Sequence, residues 1–208
     1  MTNSNPIEQL TSLFSSFPGI GPRQARRFTY YLLRKNVNFR SQLTDLITSL
    51  GKNVRVCKES FQHFYTTTKE SLSPIERDSN RDRDLLMIVE RESDLESIEK
   101  SRVYNGRYFV LGGNVPAMEK DPQKYIRLHE LKKRVERGKK ANELSEIIIA
   151  TSATPDGDNT QGHVLKTLSP LLEDTDIKTS TLGRGLSTGT ELEYIDVDTM
   201  KEALENRK

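Results

Sequence analysis

Leu85-Leu86-Met87-Ile88-Val89-Glu90 is a five-residue apolar run ending on a carboxylate. Uniform apolarity over so few residues is the pattern of a strand covered on both faces. Working outward from it, Asp94–Lys100 reads as a helix. Arg107–Leu111 reads as a second strand, closed by Gly112-Gly113. Tyr125–Arg137 has helical spacing at Ile126, Leu128, Leu131 and Val135. Glu146–Ala150 then holds three consecutive isoleucines, the strongest strand signal in the chain. Gln161–Leu172 reads as a helix, Ile177–Leu182 as a strand and Thr199–Asn206 as a closing helix. Strands alternating with helices predict an α/β fold with a mostly parallel sheet covered on both faces.

Upstream the period changes. Ile7, Leu10, Leu13 and Phe14 space an amphipathic helix, and a third helix runs through Phe39–Leu50 to Gly51. Between them lies Phe17-Pro18-Gly19-Ile20-Gly21-Pro22-Arg23-Gln24-Ala25-Arg26-Arg27. Two glycines two apart between prolines make a tight turn, and Pro22 suits the first turn of a helix. That helix is expected to carry Ala25, Phe28, Tyr31 and Leu32 inward, with Tyr30 also in the core. Arg23, Arg26 and Arg27 then fall nearer its polar side. Exposed backbone N–H groups and a positive helix N-terminus beside guanidinium groups form a phosphate site. Gly19, Gly21, Arg23, Arg26 and Arg27 are therefore the candidate DNA-binding residues. The pattern resembles the helix-hairpin-helix element, which holds DNA by its backbone without reading sequence.

The 208 residues suit one large or two small domains, and the net charge of +2 says little by itself. Its distribution says more. Residues 1–56 hold eight Lys/Arg against two Asp/Glu, and residues 101–150 eleven against six. The blocks 57–100 and 151–208 are acidic, at seven against eleven and six against eleven. A basic N-terminal module followed by alternating blocks predicts one surface for a polyanion and others for protein or metal. Cys57 is the sole cysteine, which excludes an intrachain disulfide and suits a reducing compartment. With no basic start followed by an apolar stretch and no membrane-length apolar run, a soluble, cytoplasmic, nucleoid-associated protein is expected. Residues 51–84 show little apolar periodicity and hold the domain boundary. The chain is expected to divide into residues 1–54, a DNA-binding helical domain; 55–80, a connector; 81–182, the α/β domain; and 183–208, a C-terminal tail and helix.

Two acidic features fall at the carboxyl ends of predicted strands, where open α/β sheets gather ligands. Glu90 follows the first strand, and Asp156-Gly157-Asp158 lies in the loop after Ile147–Ala150. A Glu with a D-x-D pair supplies hard oxygen ligands suited to Mg²⁺, and Gly157 permits the bend that turns both aspartates one way. Glu90, Asp156 and Asp158 are the candidate Mg²⁺ ligands. Together they resemble the Toprim domain of topoisomerases and primases. The wider chain resembles the bacterial RecR recombination mediators, through Phe17–Arg27, Arg81-Asp82-Arg83, Ile88-Val89-Glu90 and Tyr104-Asn105-Gly106-Arg107-Tyr108. The likeness continues through Glu146–Thr151, Arg184-Gly185-Leu186, Thr188-Gly189 and Glu191-Leu192-Glu193-Tyr194. It implies a helix-hairpin-helix domain, a small zinc knuckle, a Toprim domain and a tail. It further implies a non-catalytic factor, a homo-oligomer (dimer or tetrameric ring) on DNA. With RecO-like and RecF-like partners, such a factor helps load RecA onto single-stranded DNA.

Departures from the family are as informative. The family's knuckle carries two C-x-x-C pairs, and here the four positions fall on Cys57, Ser60, Ser73 and Glu76. Closed zinc sites take four strong ligands, so no structural zinc is expected, and this segment is expected to fold by packing on its neighbours. Ser187 stands where a proline is usual, and the loop Asn114–Pro122 is shortened. Asp156-Gly157-Asp158 lies closer to the D-x-D of catalytic Toprim enzymes than the family's Glu-Gly-Glu. The alternative function is thus a Mg²⁺-dependent Toprim-type nuclease using Glu90, Asp156 and Asp158. None of the seven tyrosines stands out as an activated nucleophile, His63, His129 and His163 are scattered, and no phosphate-binding GxxxxGK[ST] loop occurs.

Overall fold

Alternate residues of each central strand serve different helices, and this organises the larger of two compact units, Met1–Val54 and Arg55–Lys208. The computed structural model describes residues 5–183, 193 and 197–205. The Arg184-Gly185-Leu186 and Thr188-Gly189 matches, Ser187, Asn206 and all of Glu191-Leu192-Glu193-Tyr194 except Glu193 lie outside the described residues.

The first unit contains α1 (Pro6–Ser15), α2 (Pro22–Arg34) and α3 (Val37–Asn53). Asn5 caps α1 through Ile7 N at 3.0 Å, and Asn36 caps α3 through Phe39 N at 2.8 Å. Both satisfy amides that have no partner within the first helical turn. α1 and α2 pack through Phe14, edge-on to Phe28 at 5.8 Å, and through the Thr11 and Thr29 hydroxyls 3.0 Å apart. Ala25 and Thr29 are the buried residues of α2. Gly51 does not end α3, which runs two residues further into the strand beyond. A helical glycine costs only about 1 kcal/mol relative to alanine, too little to stop a helix by itself.

Strand β1 (Val54–Val56) pairs with β2 (His63–Tyr65), and α4 (Pro74–Arg77) follows. The main sheet holds β3 (Leu85–Val89), β4 (Arg107–Val110), β5 (Glu146–Ala150) and β6 (Lys178–Thr181) in the order β4-β3-β5-β6. Every pairing is parallel, with Leu86 opposite Arg107 and Ile147, and Val89 opposite Val110 and Ala150. Helices α5 (Glu92–Ser101), α6 (Leu128–Lys140) and α7 (Pro155–Leu172) make the crossovers, and α8 (Val197–Glu205) closes the chain. Leu86, Ile88, Phe109, Ile147 and Ile149 point to one face with Leu131 and Val135 of α6 and Val164 and Leu168 of α7. Met87, Val89, Tyr108, Val110 and Ala150 point to the other, against Leu95 of α5. The period-two side-chain alternation of a strand thus feeds two cores from one apolar run.

One boundary matters for function. α7 starts at Pro155, six residues before the expected Gln161, so Asp156-Gly157-Asp158 is the first helical turn and not a loop. Thr154 caps it by accepting from Gly157 N at 3.1 Å, with Pro155 at the first helical position.

Candidate functional site

The connections from β3 and β5 leave in opposite directions across the sheet, so their carboxyl ends bound a topological switch point. Glu90 follows β3 there and is 3% exposed. Its Oε1 accepts from both the amide and the hydroxyl of Ser152, each at 3.1 Å. Ser152 lies just after β5, so this carboxylate ties the ends of the two central strands together. Asp156 faces elsewhere: its Oδ1 accepts from Ala117 N at 2.8 Å. Two further α7 residues hold the same loop. Thr160 Oγ1 accepts from Val115 N at 2.8 Å, and Asn159 Nδ2 donates to Pro116 O at 2.8 Å. Residues two apart on a helix point to different sides, so the helical turn separates Asp158 from Asp156. The expected bend at Gly157 is replaced by a close approach. A Cβ there would overlap the Ser152 carbonyl oxygen and stand 2.6 Å from Ser152 Oγ. Among the described residues, no group of three or more His, Cys, Asp or Glu side chains is arranged to hold a metal ion.

In the first unit the chain turns between α1 and α2 through Gly19, whose φ of +73° suits glycine. The turn is closed by Ile20 N donating to Phe17 O at 3.1 Å. Gly21 is the N-cap of α2, with no side chain satisfying the helix amides, and space is open around both glycines. Arg23, Arg26 and Arg27 are exposed along this end. Arg27 donates to Gln24 Oε1 at 3.4 Å. Hairpin, helix N-terminus and three guanidinium groups are thus assembled on one short segment. Tyr30 and Tyr31 correct the sequence expectation: they are 46% and 51% exposed, outside the core. The α1-facing side of α2 is filled by Ala25, Thr29 and the half-buried Phe28 and Leu32, leaving no room for them there.

Cys57, Ser60, Ser73 and Glu76 are all buried. Cys57 Sγ accepts from Ser73 N at 3.3 Å, Ser73 Oγ from Glu76 N at 3.3 Å, and Ser60 Oγ donates to Gln62 Oε1 at 3.3 Å. The turn closes with Phe61 at φ +59° and sets that ring 5.3 Å from the Phe109 ring, tilted by 54°. Ser60 O accepts from Val110 N at 2.8 Å, which covers the edge of β4. The Glu76 carboxylate faces Arg107 at 3.4 Å and Arg134 at 3.8 Å. Arg134 also meets Glu59 at 3.2 Å, and Glu59 meets Arg137 at 2.8 Å. Burial pushes the Glu76 carboxyl above the usual carboxylate range, and Arg134 and Arg107 pull it only part of the way back. One thiol, two hydroxyls and a carboxylate turned toward guanidinium groups do not fit a four-ligand zinc site. Hydrogen bonds, ion pairs and the Phe61 contact join this segment to the sheet.

Arg81 and the Tyr104–Tyr108 run fasten a further corner. Arg81 grips both Glu99 oxygens, one at 2.9 Å, and Tyr108 donates to Glu99 Oε1 at 2.7 Å. Burial would raise the Glu99 carboxyl, but these hydrogen bonds overcome it and hold it below its ordinary value. Gly106 leaves room for the Tyr104 ring, whose hydroxyl donates to Arg107 O at 2.9 Å.

Comparison with known proteins agrees with this architecture. Residues 84–182 match the Toprim domain model, and residues 185–208 match the model of the RecR C-terminal region. The chain is 33% identical over 203 residues to recombination protein RecR of Chloroflexus aggregans, covering 98% of this chain and 93% of that protein. The chain belongs to the RecR family. The Bifidobacterium adolescentis RecR is 34% identical over 202 residues (97% and 95% covered). That of Prochlorococcus marinus strain AS9601 is 31% identical over 207 residues (100% and 98% covered). Among the described residues no helix is long and apolar enough to cross a membrane.

Within this RecR-family chain, Ser152, Asn159, Thr160, Arg107 and Arg134 organise the sites and were not singled out from sequence. Thr154-Pro155, an N-cap residue followed by proline, is the local signal that would have placed the start of α7. No local signal announces Arg134, because its partners lie 58 and 75 positions away, at Glu76 and Glu59.

Proposed function

We propose that this chain is a DNA-binding recombination mediator that makes and breaks no covalent bond itself. It acts as a homo-oligomer on DNA, with RecO-like and RecF-like partners, in helping RecA load onto single-stranded DNA during recombinational repair in the cytoplasm. The observation that carries the DNA-holding role is the uncapped N-terminus of α2 in open space, with Arg23, Arg26 and Arg27 exposed beside it. A phosphate accepts from the free amides there and is drawn by the guanidinium groups, independent of base sequence. The relatives' name, recombination protein, supports the pathway.

The alternative, a Mg²⁺-dependent nuclease, rests on Glu90, Asp156 and Asp158 near the switch point. Glu90 Oε1 accepts from Ser152 and Asp156 Oδ1 from Ala117. Among the described residues these side chains form no group of three or more that could hold a metal ion. Measuring duplex binding by fluorescence anisotropy across a salt series tests the first reading. Each lost phosphate contact removes about 0.9 from the slope of log K against log salt. Arg23→Ala with Arg27→Ala should therefore flatten the slope by about 1.8. Binding unchanged in that variant would sink the hairpin assignment. Incubating labelled DNA with the protein and Mg²⁺ or Mn²⁺ decides the second. Cleavage that disappears in Asp156→Asn would establish the nuclease.

A further inference from the structure

The outward placement of Tyr30 and Tyr31 builds a groove on α2. With Gln24, Arg27, Phe28 and Arg34 they line a depression of about 500 Å³. Positions 24, 27, 28, 31 and 34 succeed one another in helical steps and share one side, with Tyr30 on its border. Tyr31 is set in place by its edge contact with Phe39 at 6.3 Å and by Lys35 Nζ, 4.6 Å from its ring centre. Tyr30 has no ring or hydrogen-bond partner among the described residues and stands half exposed. Arg27 and Arg34 are about 10 Å apart along the helix axis, and among the described residues no carboxylate lines the groove.

Aromatic faces flanked by guanidinium groups are the chemistry of a nucleotide site. Rings stack on bases in a sequence-tolerant way, and arginines neutralise the phosphates on either side. An apolar helix would make no use of the two arginines, and an acidic peptide would make little of the two rings. The groove also continues, on the same helix, from the end that offers its amides to phosphate. We propose that it takes an unpaired base of single-stranded DNA, stacked against Tyr30 and Tyr31, with neighbouring phosphates on Arg27 and Arg34. This rests on the DNA-holding role of α2 and adds a distinction to it. The hairpin touches phosphates, which duplex and single strand share, whereas a duplex hides its base faces. The groove makes the element prefer unpaired strands.

The test uses the full-length protein and three probes: a homothymidine oligomer, an abasic oligomer of equal length and charge, and a duplex. Wild type should bind the thymidine oligomer roughly tenfold more tightly than the abasic one, within the range for a stacked base. Tyr30→Leu combined with Tyr31→Leu should erase that gap while leaving duplex affinity and salt slope unchanged. The Tyr→Phe pair should keep it. The protein has no tryptophan, so quenching of its tyrosine emission by the thymidine oligomer, lost in the Leu pair, reports the stacking directly. Equal wild-type affinity for thymidine and abasic strands overturns the proposal but leaves the hairpin reading standing. Failure to bind any of the three probes removes both. A Leu pair with an altered mass by light scattering, or one equally weakened on duplex, assigns these rings to a second copy or to the fold and also overturns it. If the Leu pair does not fold, the wild-type gap and quenching decide by themselves.

Discussion

Gly157→Ala should unfold the Toprim unit more easily, although helix propensity alone demands the opposite. Gly157 sits in the first turn of α7, where alanine is favoured over glycine by about 1 kcal/mol. The new Cβ would overlap the Ser152 carbonyl oxygen and lie 2.6 Å from Oγ and 2.8 Å from the carbonyl carbon. Backbone atoms cannot rotate away as a side-chain tip can. Ser152 is also held by two 3.1 Å hydrogen bonds to the buried Glu90 carboxylate, so its retreat strains both. Overpacking costs roughly 1–3 kcal/mol, and a hydrogen bond to a charged group contributes roughly 1.5–3 kcal/mol. Taking about 4 kcal/mol for the clash and one weakened bond, less the propensity gain, the variant loses about 3 kcal/mol. For a chain of this size that lowers Tm by roughly 6–12 °C. Gly162→Ala is the matched control. It lies on the same helix with nothing within 4 Å of its Cβ, and should gain up to about 1 kcal/mol. Thermal and urea unfolding followed by circular dichroism would read both variants. A Gly157→Ala protein as stable as wild type would refute the claim that this glycine exists for close packing against Ser152.

Two glutamates predict opposite pH dependence. The folded Glu99 carboxyl lies below its ordinary value, so its contribution is present above about pH 4.5 and is lost as pH falls through the folded value. Tyr108→Phe deletes one of its donors; it should cost about 2 kcal/mol at neutral pH and weaken that acid-side loss, as urea midpoints from pH 3 to 7 would record. Glu76 lies above its ordinary value, so its contribution is present below about pH 4.5 and is lost as pH rises through the folded value. Glu76→Gln should flatten that part of the profile, and an unchanged slope would contradict the buried-carboxylate account. Cys57→Ser keeps an acceptor for Ser73 N and should cost about 1 kcal/mol, with elemental analysis finding no stoichiometric zinc in either protein. Stoichiometric zinc in the wild type would overturn the assignment of this segment to hydrogen bonds and ion pairs.

Periodicity carried most of the architecture. Leu85–Val89 and Glu146–Ala150 are strands with the expected bounds, because runs of five and four apolar residues have few other ways to be covered on both faces. The hairpin was legible for the same local reason: a Gly at φ +73° and a Pro at the first helical position depend on their immediate neighbours. Tyr30 and Tyr31 were not, since counting apolar positions on α2 does not reveal how much of that face α1 can cover. The Asp156-Gly157-Asp158 turn was read as a loop because the helix was expected only from Gln161, while the Thr154 cap and Pro155 had already started it.

The sequence by itself determined the parallel α/β sheet, the helix–hairpin–helix segment with its arginines, and the loss of three of the four knuckle thiols. The first two follow from residue type and short-range spacing, and the third from the likeness to the RecR family. Only the tertiary structure shows what surrounds the acidic residues. Their partners are brought near them from distant positions: Glu90 Oε1 accepts from Ser152, Asp156 Oδ1 from Ala117, and Glu76 faces Arg107 and Arg134. The same holds for the aromatic groove on α2, which exists because packing against α1 filled one side of the helix and left two rings on the other.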